Sequence, residues 1–388
     1  MKNNIIILAI CQALGMSAPP MIVLIGGIIG ADMASNVSLS TLPLAMLVVG
    51  VATFTIPAAL LMGKTGRRFG FIAGSLLAVI SSLGGIYAIK VNSFSLFCLA
   101  IFGIGGNMAF IQQFRFAAAE SVEQAYVGRA ISIVLTGGVA AAFLGPALAE
   151  NSKDWLSYGA YSGSFAALAI IYSINIFLLC FLRLKPANNP TVSEEGRPFS
   201  TIIKQPLFVT AVLAGLVSYG CMTFIMTATP VSMHVLDGFS LRDTAWVIQS
   251  HVMAMFIPSF FSGALIDRFG LTKVMMTGCL FNIICVFIAL YDQHLIHYWG
   301  SLVLLGIGWN FLFVGGTTLL TGSYRPCERF KSQAFNDFII YGFQAIASLS
   351  AGAIIFHAGW KAVNLITLPL LLMMFFVILR MPRYLKSN

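Results

Sequence analysis

Two residue pairs carry metal chemistry in their spacing: Met222 with Met226, and His251 with Met255. Each pair is four residues apart inside a strongly apolar stretch. On a helix that spacing places both side chains on one face. The two stretches are consecutive, so they are expected to lie side by side, with three thioethers and one imidazole converging. Soft sulfur ligands with an imidazole favour Cu(I), whereas Mg2+ and Ca2+ want oxygen. At about 1.5 Å per residue, Met226 lies roughly 10 Å and His251 roughly 12 Å below the outer face, with Met222 and Met255 about a turn deeper. Methionine is common here, with 17 copies, so a single Met pair reads more readily as packing. Met373 and Met374 are read that way. His251 weighs more. Of the five histidines it alone falls well inside an apolar stretch, where an ionisable group is costly and usually functional. Met233 and His234, at the outer end of the first stretch, read either as a capture point for the metal or as an interfacial pair facing water.

A second constellation suits a different cargo. Asn107, Gln112, Gln113 and Arg115 lie in one apolar stretch. Asn107 and Gln113 can face a central cavity, and Gln112, Gln113 and Arg115 would suit an organic solute with carbonyl groups. Asn107 has a counterpart in Asn310, beside Trp309, and a symmetric amide pair reads first as glue between helices. Arg115, near one end of its stretch, has a simple reading as a snorkelling side chain.

The elements that must position these residues follow from composition. The 388 residues are 59% hydrophobic and only 9% charged, against about 25% charged in soluble domains. Apolar runs of helix-spanning length recur along the chain, at approximately 4–31, 40–63, 69–89, 94–118, 127–149, 156–182, 205–233, 243–266, 272–291, 297–321, 334–356 and 359–380. Long apolar runs exclude a β-barrel, whose strands alternate. The fold class is thus an all-α membrane protein of twelve spans. Neither a P-loop, a nucleophile triad nor Cys/His zinc spacing occurs, so an enzyme or an ATP-driven pump is not expected. No cofactor is expected to be permanently bound. The seven cysteines form no CxxC pattern and read as small buried apolar residues. The first apolar run is too long for a signal-peptide core, and an uncleaved first span is expected.

The net charge of +9 does not point to nucleic acid, because the basic residues sort by side of the membrane. Loops after even-numbered spans and both termini hold most of them, including Lys64, Arg67, Arg68, Arg129, Arg268, Lys273, Arg325, Arg329 and Lys331. The opposite loops hold only Lys90, Lys153, Arg242 and Lys361. The positive-inside rule places both termini in the cytoplasm. Acidic residues Asp32, Glu120, Glu150 and Asp292 fall near span ends. Asp337, close to the cytoplasmic side, is the one candidate for an embedded carboxylate.

The one long polar stretch, at 184–204, reads as a cytoplasmic linker between six-span halves at 1–183 and 205–388. A repeat supports this division. Gly103-Ile-Gly-Gly-Asn-Met-Ala-Phe110 matches Gly306-Ile-Gly-Trp-Asn-Phe-Leu-Phe313, and the loop from Gly63 through Gly66 and Arg67 to Arg68 matches Gly263 to Gly270 at nearly the same offset.

With these features the chain resembles the major facilitator superfamily over essentially its whole length. The run Gly263-Ala-Leu-Ile-Asp267-Arg268-Phe-Gly270 matches that superfamily's G-x-x-x-D-R-x-G gate motif completely. The earlier copy departs from it, with Gly63 where Asp is expected. The resemblance implies two six-helix halves, alternating access, and a gate role for Gly263, Asp267, Arg268 and Gly270.

Met222-Thr-Phe-Ile-Met226 followed by His251-Val-Met-Ala-Met255 also resembles the CcoA-like copper importers of bacterial cytoplasmic membranes. That resemblance implies copper as the transported substrate and Met222, Met226, His251 and Met255 as its ligands. The partners expected are the metal or a small solute and the lipid bilayer, with a monomeric chain. A related branch of the same family is thought to carry riboflavin, so an organic solute stands as the alternative. A non-transporting metal sensor is the second alternative.

Overall fold

The computed structural model describes residues 2–34, 39, 42–184 and 196–385. Most of the expected linker, 185–195, lies outside them. The described residues form helices and connecting turns, with no strand among them. Apolar runs of this length satisfy their backbone groups internally as helices, which lipid requires.

Ten helical stretches are long and apolar enough to cross a membrane. The first seven are Asn3–Val23, Leu42–Thr65, Arg67–Lys90, Phe94–Ala119, Gln124–Asn151, Ser162–Leu179 and Pro206–His234. Leu271–Tyr291 and Leu295–Thr321 follow as the ninth and tenth spans. Between them and the seventh lies a bent pair, Arg242–Phe260 with Ser262–Phe269, which forms the eighth. The last stretch, Pro326–Met381, has 56 residues. At about 1.5 Å per residue it is more than twice the ~30 Å hydrocarbon thickness. Gly359, at φ 76° and ψ 178°, breaks it, and it crosses twice, as the eleventh and twelfth spans.

By their contacts the residues form two compact units. The first comprises Met1–Val122 and Ile133–Ser193, the second Glu123–Ser132 and Glu194–Asn388. In the first unit the second span packs on the fourth, and the third packs on the fourth and sixth. Arg67 is buried there and pairs with Glu120 through Nε at 2.8 Å and a second nitrogen at 2.5 Å. In the second unit the seventh span packs on the tenth and eleventh, the ninth on the tenth, and the eighth chiefly on the tenth.

The repeat seen in the sequence has a backbone counterpart. Gly66 and Gly270 begin the third and ninth spans with φ 86° and 87° and ψ 157° and 149°. This region is essentially restricted to glycine. The fifth and eleventh spans each begin with a single 3₁₀ turn, Gln124–Tyr126 and Pro326–Glu328.

The chain entering the second unit is held by Glu328. The Arg197 backbone N–H donates to Glu328 Oε1 at 2.8 Å, and its guanidinium reaches Oε1 at 2.9 Å and Oε2 at 2.6 Å. The Arg325 N–H donates to Oε2 at 2.8 Å. Arg197 also reaches Gln205 Oε1 and the Ser323 carbonyl, each at 3.2 Å.

Candidate functional site

Three of the four metal-ligand candidates are buried: His251 at 0%, Met222 at 5% and Met255 at 8% exposure. Met226 is half-buried. Along their helices Met226 and His251 lie level with each other, farther from the helix ends than the roughly 10 and 12 Å read from the sequence. Met226 lies ten residues before the helical end at Leu236, and His251 ten residues after the start at Leu241. At 1.5 Å per residue both are about 15 Å deep.

Their neighbours differ from expectation. The seventh and eighth spans touch only marginally, and each leans on the tenth. The reason is the small residue Gly306. A Cβ there would sit 2.7 Å from the His251 carbonyl oxygen and 2.9 Å from the Met255 nitrogen. Its absence lets the eighth span close against the tenth, so the consecutive spans do not lie side by side.

The His251 ring is oriented by that contact. Its Nδ1 lies 2.7 Å from the Leu302 carbonyl oxygen. A carbonyl only accepts, so Nδ1 carries the proton and Nε2 presents a lone pair. Nε2 is buried without a hydrogen-bond partner. A backbone bond at one nitrogen with a free lone pair at the other is the arrangement seen in ligating histidines.

Asn310 serves the architecture. The eighth span leaves α-helical geometry at Ile257–Phe260 and carries Pro258 there. That break leaves upstream carbonyls without helical donors. The Asn310 amide nitrogen donates to the Met255 carbonyl at 2.8 Å and to Ser259 Oγ at 2.6 Å.

Its sequence counterpart behaves differently. The Asn107 amide is buried, and neither its nitrogen nor its oxygen makes a hydrogen bond.

The other amides of the fourth span sit at a break, Gln112–Gln113, between two helical lengths. Gln113 Oε1 accepts from Arg67 at 3.3 Å. Arg115 is 1% exposed, with its guanidinium 4.6 Å from the Phe116 ring centroid. It does not snorkel to water.

Met233 and His234 do not share a surface. Met233 is fully buried, whereas His234 is exposed with Nδ1 2.8 Å from the Phe239 carbonyl oxygen. They lie on a π-helical turn, Val231–Leu236.

A feature that spacing did not single out surrounds Trp309. Its ring stacks on Phe313 at 5.0 Å between centroids and 19° between planes. Tyr219 and Phe256 meet it edge-on at 5.2 and 5.7 Å. Tyr219 also meets Phe313 and Tyr341 at 5.0 and 5.5 Å. The signal in the sequence was Trp309 itself, an indole N–H in the middle of an apolar span.

The gate-motif loop has a physical reason at each motif position. Asp267 pairs with Arg129. A Cβ at Gly263 would lie 2.6 Å from the Arg129 Cα and 2.9 Å from the Gly128 carbonyl, so only glycine lets residues 128–129 approach. Ser262 and Ser132 hydroxyls meet at 3.0 Å beside it. Arg268 lies over Phe269, 5.2 Å from its centroid. Gly270 supplies the left-handed turn. Residues 123–132 accordingly group with the second unit.

The family model of the Major Facilitator Superfamily matches residues 5–257 and 212–387. The riboflavin transporter RfnT of Brucella anthropi is 39% identical over 371 residues, covering 95% of this chain and 93% of that protein. An uncharacterized MFS-type transporter of Bacillus subtilis, YddS, is 28% identical, covering 94% and 87%. Among solved structures, the transporter FucP in its outward conformation superposes with a TM-score of 0.78 at 16% identity, covering 97% of this chain and 99% of FucP. A bacterial homologue of the iron transporter ferroportin gives 0.74 at 12% identity, covering 99% of each. The chain is a multi-pass, non-enzymatic membrane transporter and belongs to the major facilitator superfamily.

Proposed function

We propose that this protein carries a flat heteroaromatic organic solute of the riboflavin kind across the bacterial cytoplasmic membrane by alternating access. The observation that carries this reading is the 39% identity to a riboflavin transporter along nearly the full length of both chains. The reading favours the organic-solute expectation over copper, and transport over a sensor role. The buried aromatic side chains around Trp309 supply the kind of surface such a solute prefers. The substrate is expected to bind from outside, with both termini in the cytoplasm, in a monomer. The Asp267–Arg129 pair would serve as a latch, released as the transporter turns over.

Copper import remains a second reading because of one observation, the buried and unpartnered Nε2 of His251. The deciding experiment measures uptake of radiolabelled riboflavin and of radioactive copper in cells expressing the chain. The proposal expects riboflavin to accumulate above the vector control and copper to stay level with it. The reverse pattern would transfer the assignment to the metal.

A further inference from the structure

The Trp309 indole N–H is the most telling unused group in the second unit. The residue is 1% exposed, and its Nε1 has no hydrogen-bond partner. An indole N–H left unpaired in an apolar span costs free energy that a Phe of similar packing would not. The surroundings are aromatic. Phe313 stacks on the ring, Tyr219 and Phe256 meet it edge-on, and Tyr341 backs Tyr219. Burial grades across this box. Trp309 and Phe313 at 1% and Tyr341 at 2% form its floor, while Tyr219 and Phe256 at 7% form its rim.

Four spans contribute: Tyr219 from the seventh, Phe256 from the eighth, Trp309 and Phe313 from the tenth, and Tyr341 from the eleventh. Aromatic pairs of this kind favour another flat ring in stacked or edge-on contact. An unpartnered indole donor among such faces selects a ring that carries an acceptor at its edge. A free aliphatic polyol offers no face to stack, and a bare metal ion has no use for an N–H donor.

We propose that this box is the subsite for a fused heteroaromatic ring bearing a ring carbonyl, and that Trp309 Nε1–H donates to that carbonyl. The proposal rests on the organic-solute reading above and deepens it. In the described conformation the rings close on one another, so the guest enters by parting the rim residues Tyr219 and Phe256. Specificity then lies in the ring system, and the ribityl chain of a riboflavin-like solute contributes little at this point.

The test titrates detergent-purified full-length protein with riboflavin, with lumichrome as the bare ring system, and with ribitol as the bare chain. Ring fluorescence reports stacking, and uptake in cells is measured in parallel. The wild type should bind riboflavin and lumichrome with quenched fluorescence, and ribitol should not displace either. Trp309→Phe keeps the ring and removes the donor. It should weaken both flavins about tenfold, the worth of one hydrogen bond, without a matching fall in thermal stability. Phe256→Leu opens the rim and should reduce quenching. If Trp309→Phe fails to reach the membrane, Phe256→Leu decides alone. Riboflavin binding and uptake with unchanged affinity and quenching in the variants would overturn the box and leave the transport reading standing. Displacement of riboflavin by ribitol would do the same. A wild type that neither binds nor takes up riboflavin would remove both.

Discussion

His251 and Leu302 are joined by one bond, Nδ1 to the carbonyl oxygen at 2.7 Å, which fixes the imidazole tautomer. The bond ties the eighth span to the tenth at the level where metal ligands were expected. Two roles for the ring then separate cleanly. As a structural donor, it needs only Nδ1–H. As a ligand, it needs Nε2.

The first prediction uses that separation. His251→Leu removes the donor and should lower stability by about 0.5–1.5 kcal/mol from the hydrogen bond alone, with a packing term added. Thermal unfolding of purified protein measures it. Riboflavin uptake should survive in Met226→Leu, which retains volume and hydrophobicity. If instead Met226→Leu and His251→Gln abolish copper accumulation while Met373→Leu does not, the metal reading prevails.

The gate pair yields a prediction in which transport and stability part. Arg129 and Asp267 side chains are 52% and 25% exposed. A pair that open to solvent is worth about 0–1 kcal/mol. Asp267→Asn should therefore leave the melting temperature nearly unchanged and the substrate affinity intact, while transport slows. Equal loss of binding and transport would make Asp267 part of the scaffold.

Glycine substitutions should sort by mechanism. Gly263→Ala drives a Cβ into the backbone of residue 129 at 2.6 Å and should cost more than the 1–3 kcal/mol of ordinary overpacking. Gly270→Ala meets nothing within 4 Å, so its cost is backbone strain alone, on the order of 1–3 kcal/mol. Gly300→Ala, within the tenth span and with open space around it, should be neutral or stabilising by up to about 1 kcal/mol. Melting of the three variants in one detergent gives the ranking. A Gly300→Ala as damaging as Gly263→Ala would contradict the account.

The Arg197–Glu328 contact predicts local release. Glu328 is 4% exposed and accepts from both Arg197 and Arg325. Glu328→Gln removes the charge from a bidentate pair and should free the segment that enters the seventh span. Trypsin should then cut after Lys204 faster than in the wild type, with the remaining chain intact; the Arg197–Pro198 bond resists trypsin in both. Equal cleavage rates would show that other contacts hold the segment.

Much of the frame was legible in the sequence because long apolar runs and paired glycine motifs are properties of consecutive residues. The runs predicted twelve spans. Gly66 and Gly270 announced themselves as members of a repeat, and each now has a left-handed backbone to explain it. What spacing could not show was which span stands next to which. Met222 and His251 fell on consecutive spans, yet Gly306 drew the eighth span onto the tenth. Breaks inside spans were hidden for a related reason. Gln112 and Gln113 looked like polar lining, but they sit where the fourth span interrupts its helix, and Gln113 is engaged by Arg67. Trp309 passed as a companion of Asn310, since nothing in the order of residues reveals that Tyr219, Phe256 and Tyr341 gather around it.

The eighth span is riveted to its neighbour at two heights, by His251 on Leu302 and by Asn310 on Met255 and Ser259. Below the second rivet the chain changes direction, at Phe261, before the length Ser262–Phe269 that carries Asp267. The upper length and the tenth span therefore act as a splinted pair, and Phe261 is the wrist. Movement at the Asp267 loop reaches the aromatic cluster through that joint as well as through the loop helix's own packing on the tenth span, so the joint's stiffness sets how the two routes share a cytoplasmic movement at the level of Trp309.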